Sequence, residues 1–378
     1  MAYTYGTLSA RQTIGAKLTR IHWPVVALMC LLVCIGLSAL YSVAGGSFNP
    51  WAERHALRFV VTLALVIAIA LTPLRWWIAL AYPAYAVALL LLILVPLIGT
   101  EALGARRWLS VASVTFQPAE LMKVALVLML ARYYQWLGSR RVSHPYWVLL
   151  PLLAIAAPVA LTLKQPDLGT ALLFVVGGIS LMFLAGVNIL YFIGGGILCA
   201  VLAPMIWDRL HDYQRRRIEI FLDPEKDQLG AGYHITQSKI ALGSGGVSGK
   251  GFMQGTQSQL NFLPEKHTDF IFTTFVEEWG FTGALGLLGL YLLLFLLVLS
   301  MAFACRSQFG RLVAAGAGVI LFLYAFINIA MVTGLIPVVG VPLLLVSYGG
   351  TSMTTIMIAL GIAMCAFVNR TQGVRTGR

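Results

Sequence analysis

The hydrophobic residues of this chain form long runs that are separated by shorter polar segments. A helix that crosses a membrane needs about 20 mostly apolar residues. Ten runs come close to or exceed this length, and they lie at residues 23–44, 57–73, 76–98, 118–137, 146–163, 168–187, 189–207, 279–304, 312–334 and 349–368. The pattern predicts an all-α, polytopic membrane protein with ten transmembrane helices.

The composition of the chain supports a membrane protein. Of its 378 residues, 59% are hydrophobic and 11% are charged, whereas an average soluble protein is about 45–50% apolar and about 25% charged. These values exclude a soluble enzyme, a disordered scaffold and a nucleic-acid-binding domain. The net charge of +12 does not require a nucleic-acid partner, because cytoplasmic loops of membrane proteins collect Lys and Arg.

The distribution of charge predicts the orientation of the chain. One side of the predicted membrane carries twelve basic residues and no acidic ones, and these are Arg11, Lys17, Arg20, Arg75, Arg132, Arg140, Arg141, Arg306, Arg311, Arg370, Arg375 and Arg378. Positively charged loops remain in the cytoplasm. We therefore expect both termini to be cytoplasmic, which also requires an even number of spans.

Two connections on the outer side differ from the short loops elsewhere. Residues 208–278 form a large extracytoplasmic loop that holds ten of the 14 acidic residues. Residues 335–350 are uncharged and rich in Pro and Gly, and irregular backbone at membrane depth is tolerated only inside protein or beside a cavity. No feature divides the chain further, so residues 1–378 are expected to form one transmembrane domain.

A glycine-rich segment, GSGGVSGKGF at 243–252, resembles a phosphate-binding loop but does not match its pattern. The pattern requires Gly where Ser244 stands and Ser or Thr where Gly251 stands. We therefore expect a flexible glycine-rich loop.

Charged residues cluster where the outer loop approaches the membrane, in LNFLPEKHTDFIFTTFVEEWGF at 260–281. A partly desolvated carboxylate at such a position has a raised pKa, which suits a general base. The alternative is that Thr268 or Asp269 caps a helix.

A second candidate site lies at the start of the fourth predicted span. Pro118 suits the first helical position, and Glu120 and Lys123 then share one face of the helix. Ionisable residues within a span are functional candidates by default. The alternatives are that Glu120 interacts with the helix dipole, or that the pair is a structural ion pair that locks two helices.

Three consecutive arginines, Arg215 to Arg217, lie on the outer side, against the usual distribution of charge. They indicate an anionic partner, either a lipid headgroup or a phosphorylated substrate.

Together, seven segments resemble the SEDS family (shape, elongation, division and sporulation proteins), and its RodA branch more than its FtsW branch. They are GARRW (104–108), FQPAELMK (116–123), QPDLGTA (165–171), YQRRRIEIFLDP (213–224), GYHITQSKIALGSGG (232–246), FLPEKHTDFIF (262–272) and GLIPVVGVPLLLVSYGGTS (334–352). They occur in the family order and fit its ten-helix plan.

The resemblance implies a peptidoglycan glycosyltransferase of the bacterial cytoplasmic (inner) membrane that polymerises lipid II on the outer face during cell elongation. Its implied partners are lipid II, the growing glycan strand, a class B penicillin-binding protein and other elongation-complex membrane proteins. The resemblance assigns catalysis to Asp269. It also implies that Glu120 and Lys123 line the substrate cavity, and it matches Arg107, Trp108 and Arg217 to family motifs.

The implied reaction converts an α-linked lipid diphosphate sugar into a β-linked glycan, so it inverts the anomeric carbon by direct displacement. Asp269 is the expected base for the attacking hydroxyl, or alternatively a ligand of a divalent cation (Mg²⁺ or Mn²⁺). Arg107, Lys123 and Arg217 are the expected diphosphate contacts. The alternative functions are a lipid II flippase or transporter and a non-catalytic scaffold, and the scaffold agrees with every feature except the retained Asp269.

Overall fold

A computed structural model describes residues 13–102, 105–111, 114–138, 141–209, 212–223, 227, 230–260, 262–263 and 265–371. In chain order its elements are α1 (Ile14–Leu18), α2 (Trp23–Val43), α3 (Ala52–Leu71), α4 (Leu74–Ile98), β1 (Thr100–Ala102), β2 (Ala105–Val111), β3 (Val114–Phe116), α5 (Pro118–Leu137), α6 (Pro145–Lys164), α7 (Leu168–Leu184), α8 (Ile189–Arg209), α9 (Asp212–Leu222), α10 (Ala231–Ser244), α11 (Thr256–Gln259), α12 (Ile271–Ala304), α13 (Gln308–Val332) and α14 (Gly350–Val368).

Each of the predicted hydrophobic spans coincides with a helix. Within the described residues, seven helices are long and apolar enough to cross a membrane, namely α2, α3, α4, α6, α12, α13 and α14. The other three predicted spans correspond to α5, which carries three charged residues, to the shorter helix α7, and to α8, whose apolar part is the shorter stretch Ile189–Met205. The chain is thus a multi-pass membrane protein, and the total of ten spans stays a prediction.

Local sequence fixes where several helices begin. Proline occupies the first turn of α2, α5 and α6, where its missing N–H costs no hydrogen bond. The Asp167 carboxylate caps α7 by accepting the Thr170 N–H at 3.2 Å. Ser307 caps α13 in the same way through Gly310.

The centre of the bundle is formed by α5, α13 and α14, whose side chains are mostly buried. The helix α14 packs on α3, α4 packs on α5, and α12 packs on α13. In contrast, the described side chains of α8 are almost all exposed. An apolar helix with this much exposure is suited to contact with lipid.

Among the described residues, one region is not helical or a simple connection. Between α4 and α5 the chain forms a small antiparallel sheet in the order β1–β2–β3, in which Thr100 pairs with Trp108 and Leu109 pairs with Phe116. Thr and aromatic residues favour strands. The strands are too short to show the alternating pattern on which strand prediction depends.

The large loop predicted at residues 208–278 is partly helical and ends earlier than expected. It contains α9, α10 and α11, and α12 begins at Ile271, so Glu277 and Glu278 lie within that helix. The Pro- and Gly-rich connection, residues 335–349, is irregular, and its second half is largely buried in the bundle. This burial agrees with the requirement that such backbone be shielded from lipid.

Candidate active site

Asp269 lies two residues before the start of α12, on the loop that leads into that helix, and is half-buried. Its backbone carbonyl accepts a hydrogen bond from Asn328 Nδ2 at 2.8 Å. Its carboxylate faces Gly340, where a Cβ atom would lie 3.4 Å from Oδ2. Gly340 has a φ of +71°, a left-handed conformation that glycine adopts without steric cost.

The carboxylate of Asp269 is available for chemistry. Within the described part of the chain, no donor forms a hydrogen bond with it, and neither Asp269 nor Thr268 caps α12. Burial raises the pKa of Asp269 to about 6, and the negative charge of Glu265 adds to this effect. A carboxylate with a pKa near the working pH is suited to act as a general base.

The loop that carries Asp269 is fastened at three points. The rings of His267 and Trp51 stack at 4.6 Å with an interplanar angle of 16°, and the His267 carbonyl accepts the Tyr348 N–H at 2.9 Å. Lys266 Nζ donates to the Ser258 carbonyl at 2.6 Å. Burial lowers the pKa of His267, which favours a neutral ring in this stack.

Glu120 and Lys123 form the ion pair expected from their spacing, with Lys123 Nζ 2.8 Å from Glu120 Oε1 and both side chains almost fully buried. The hydroxyl of Tyr324 on α13 donates to the Glu120 carboxylate at 2.8 Å and also contacts Lys123 Nζ. Ser352 on α14 donates to the same carboxylate at 3.2 Å. The pair therefore joins three helices, and its charges are compensated where burial would otherwise be costly.

A small cavity of about 20 Å³, enough for a water-sized group, lies between α5, α7 and α13. Lys123 and Tyr324 are its polar lining residues, and the rest of its wall is apolar, including Leu126, Phe174 and Ile320. Glu120 and Lys123 were expected to line the substrate cavity. Lys123 lines the cavity described here, whereas Glu120 does not line it and contacts Lys123 through the ion pair.

Arg107 connects the sheet to the turn between α6 and α7. Its Nε atom donates to the Gln165 carbonyl at 3.2 Å, and its Nη2 atom contacts the Pro166 carbonyl. On the same turn, Asp167 accepts a hydrogen bond from Gln117 at 3.0 Å. Three segments singled out in the sequence, around 107, 117 and 165, thus meet beside the first turn of α5. Trp108 is half-buried on β2.

The three arginines of α9 have different partners. Arg217 Nη1 donates to the Val338 carbonyl at 3.0 Å. Val338 is two residues before Gly340, so Arg217 contacts the segment that faces Asp269. Arg216 pairs with Asp227 at 3.1 Å on the surface. Arg215 donates to the Trp207 carbonyl at 3.0 Å.

The expectation of a flexible glycine-rich loop is wrong. The segment 246–251 inserts beside a kink in α12 at Gly280, where Lys250 N donates to Glu277 O at 3.0 Å and Phe281 N donates to Gly246 O at 2.9 Å. The buried Glu277 carboxylate also accepts from Lys250 Nζ at 2.8 Å and from Gln257 N at 2.9 Å. The segment is therefore docked on the helix that follows Asp269.

The main functional residues that were missed are Tyr324 and Asn328, which lie on one face of α13 and reach the two candidate clusters. Residues four apart in a helix are neighbours, so α13 places the Glu120–Lys123 pair within about one helical turn of the Asp269 backbone. Their signal in the sequence is two polar residues, four apart, in the apolar run FLYAFINIAMV.

Comparisons with known proteins agree on one family. The model of the FtsW, RodA and SpoVE family, described as "Cell cycle protein", matches residues 16–372. The peptidoglycan glycosyltransferase MrdB of Escherichia coli K12 is 43% identical over 356 residues, which cover 93% of this chain and 95% of that protein. MrdB of Helicobacter pylori J99 is 40% identical over 292 residues, which cover 76% of this chain and 74% of that protein.

Solved structures agree with the sequence relatives. One structure, described as the structural coordination of polymerization and crosslinking by a peptidoglycan synthase complex, aligns with a TM-score of 0.82 and 34% identity over 93% of this chain and 99% of that chain. The crystal structure of the rod shape determining protein RodA of Thermus thermophilus aligns with a TM-score of 0.71 and 29% identity, covering 93% of this chain and 98% of that chain.

Proposed function

The chain belongs to the FtsW, RodA and SpoVE family and is a peptidoglycan glycosyltransferase, and we propose that it polymerises lipid II with Asp269 as the catalytic base. The observation that carries this proposal is the Asp269 carboxylate itself. It has no donor among the described residues, faces the glycine backbone at 340, and has a pKa raised to about 6.

The proposed reaction is a single inverting displacement. The 4-hydroxyl of the acceptor sugar gives its proton to the Asp269 carboxylate while its oxygen attacks the anomeric carbon of the donor. The bond from that carbon to the lipid diphosphate breaks, and the diphosphate leaves with the bonding electrons. Because a diphosphate is a good leaving group, it needs charge stabilisation rather than a second carboxylate that donates a proton.

The developing negative charge is assigned to Arg107, Lys123 and Arg217. An ammonium group has three N–H donors, and Lys123 uses two of them on Glu120 and Tyr324. A guanidinium group has five, of which Arg107 uses its Nε and Nη2 groups on backbone carbonyls. Arg217 is fixed by Val338 on the segment that contains Gly340, and Trp108 lies next to Arg107 as a substrate contact.

A divalent cation fits this site only together with the substrate. Among the described residues, no group of three or more His, Cys, Asp or Glu side chains forms a metal site, but Mg²⁺ is commonly held by one or two carboxylates plus substrate phosphates. Asp269, with Glu265 nearby, is the carboxylate that would hold Mg²⁺ or Mn²⁺. When bound, the cation would supply charge stabilisation at the diphosphate.

The proposed setting is the bacterial cytoplasmic membrane, with both termini in the cytoplasm and Asp269 on the outer face. The concentration of basic residues in one set of connections supports this orientation. The proposed partners are lipid II, the growing glycan strand, a class B penicillin-binding protein as transpeptidase and other membrane proteins of cell elongation. The similarity to a chain from a complex of polymerization and crosslinking supports the transpeptidase partner.

The test is glycan polymerisation from purified lipid II in liposomes by the full chain with its transpeptidase. We expect long strands from the wild type, none from Asp269→Asn, and normal strands from Asp208→Asn. Asp208 is a matched control because it is an exposed aspartate near the end of α8. Normal polymerisation by Asp269→Asn would refute the assignment, and lipid II transfer across the bilayer without polymer would favour a flippase.

A further inference from the structure

Asn328 is a fully buried polar residue near the end of α13, four residues before Val332. Its Nδ2 atom lies 2.8 Å from the Asp269 carbonyl oxygen and 2.7 Å from the Val341 carbonyl oxygen. Carbonyl oxygens only accept hydrogen bonds, so the atom between them must be the amide nitrogen, and its two N–H groups serve one acceptor each.

The two acceptors belong to the two sides of the candidate active site. One is the backbone of Asp269 itself. The other is Val341, the neighbour of Gly340, against which the Asp269 carboxylate lies. One amide group thus sets the separation between the base and the wall that it faces.

The same helix face also fixes the cationic part of the site. Tyr324 lies one turn before Asn328 and bonds to both Glu120 and Lys123. A rigid helix that contacts both clusters determines their distance from each other. Positioning of this kind has a large effect, because a misplacement of about 1 Å can lower a rate about 100-fold.

We propose that Asn328 is a positioning residue for the glycosyl transfer, which holds the Asp269 backbone and the 335–349 segment in register so that the carboxylate meets the acceptor hydroxyl. This proposal rests on the proposed role of Asp269. Asn328 itself does not touch the reacting atoms.

The chain offers a closely matched control at the other end of the bundle. Asn369 is also buried, and its Nδ2 atom donates to the carbonyls of Thr72 at 3.2 Å and Cys365 at 2.8 Å. The Oδ1 atoms of Asn328 and Asn369 are both buried without a partner in the described part of the chain. Both amide groups therefore donate to two backbone carbonyls, and Asn369 also contacts Cys365 Sγ at 3.6 Å, but only Asn328 lies at the site.

The test compares Asn328→Ala with Asn369→Ala in lipid II polymerisation by the full chain with its transpeptidase, at a temperature where both remain folded. We expect both to lower the melting temperature, whereas only Asn328→Ala lowers kcat, by about 10- to 100-fold with KM nearly unchanged. Equal kcat values for the two variants would overturn the proposal and make Asn328 a structural residue.

A second variant keeps the proposal testable if Asn328→Ala does not fold. Asn328→Asp has the same shape, and a carboxyl group donates a hydrogen bond only while protonated. We therefore expect its activity, relative to wild type, to fall as the pH rises. The charged groups around it are Asp269 and Glu265 on the loop and the Glu120–Lys123 pair, which Tyr324 contacts one turn away. The new carboxylate also raises the pKa of Asp269 by charge repulsion, but this effect on the rate ends once Asp269 is ionised, whereas the loss of the donor persists. A ratio that is constant with pH, or that returns to its low-pH value by pH 8, would contradict the proposal.

Failure of this proposal can be separated from failure of the proposed function. If Asp269→Asn polymerises normally in the same assay, the role of Asp269 is wrong. If Asp269→Asn is inactive while Asn328→Ala matches Asn369→Ala, only the positioning role of Asn328 is wrong.

Discussion

At the scale of single residues, the site holds a carboxylate in surroundings that oppose its charge. The pKa of Asp269 is 3.8 in an ordinary environment and about 6 in the folded protein. Because the pKa is higher in the folded state, the folded protein holds the proton of Asp269 more tightly than the unfolded chain does. Protonation therefore stabilises the fold, fully below pH 3.8, and this stabilisation is lost as the pH rises through about 6. Ionisation of Asp269 at neutral pH therefore lowers the free energy of unfolding.

This cost predicts that Asp269→Asn stabilises the protein at neutral pH while it abolishes activity. The difference between 3.8 and about 6 corresponds to at most about 3 kcal/mol. We expect the variant to melt at a higher temperature than the wild type at pH 7.5 and at nearly the same temperature at pH 4, as measured by thermal unfolding in detergent. A lower melting temperature for Asp269→Asn at pH 7.5 would contradict the proposed desolvation of Asp269.

The Glu120–Lys123 pair predicts a different result, because its two charges compensate each other. Lys123→Ala leaves a buried carboxylate without its cation, which costs about 3–5 kcal/mol. The double variant Glu120→Gln/Lys123→Met removes both charges, and we expect it to recover most of the melting temperature.

Polymerisation by that double variant separates two roles of Lys123. If Lys123 contacts the diphosphate, the double variant folds but remains inactive. Full activity of the double variant would make the pair a structural lock between α5, α13 and α14.

At the scale of elements, the kink at Gly280 joins α12 to the glycine-rich segment. Gly280 has a φ of +67°, and a Cβ atom there would lie 2.2 Å from Gly249 N. No side chain fits at that distance, so the docking of residues 246–251 requires glycine at this position.

We therefore expect Gly280→Ala to disrupt the docked segment and to lower both stability and polymerisation, whereas Gly286→Ala should be neutral or slightly stabilising. Gly286 lies on the same helix with open space around its Cβ position, and Ala is a better helix former by about 1 kcal/mol. Limited proteolysis of residues 246–260 provides the measurement. Equal protection of the two variants would show that the kink does not hold this segment.

The helices were predictable from the sequence, since runs of apolar residues are the strongest signal in a membrane protein. The small sheet was not, because strands such as Val114–Phe116 are too short to show a period. The docking of residues 246–251 at the kink was not predicted, because a glycine-rich segment also suits a flexible loop. Only its contact with α12 distinguishes a docked segment from a flexible one. Asp269, Glu120 and Lys123 were candidates because they are charges near or within apolar runs. Asn328, which binds the Asp269 carbonyl, lies 59 residues away in the chain, and sequence spacing does not indicate such a contact.

At the scale of the whole molecule, the arrangement of charge makes a prediction about topology. Reporter fusions at residues 141, 230, 306 and 371 should report the inside, outside, inside and inside of the cell, respectively, if ten helices cross the membrane. Alkaline phosphatase, which is active only outside, and a fluorescent protein that folds only inside are suitable reporters. An external reporter at residue 371 would require an odd number of spans and would contradict the proposed orientation.

The central claim is that the ionised Asp269 carboxylate accepts the proton of the attacking hydroxyl, and the pH dependence of polymerisation tests it most directly. We would measure kcat/KM for lipid II from pH 5 to pH 8 with the transpeptidase bound. The claim predicts a rate that rises with pH through an apparent pKa near 6 in the wild type, and a rate that is very low at every pH in Asp269→Asn. A wild-type rate that is constant across this range, or an Asp269→Asn variant with the same rising limb, would contradict the claim.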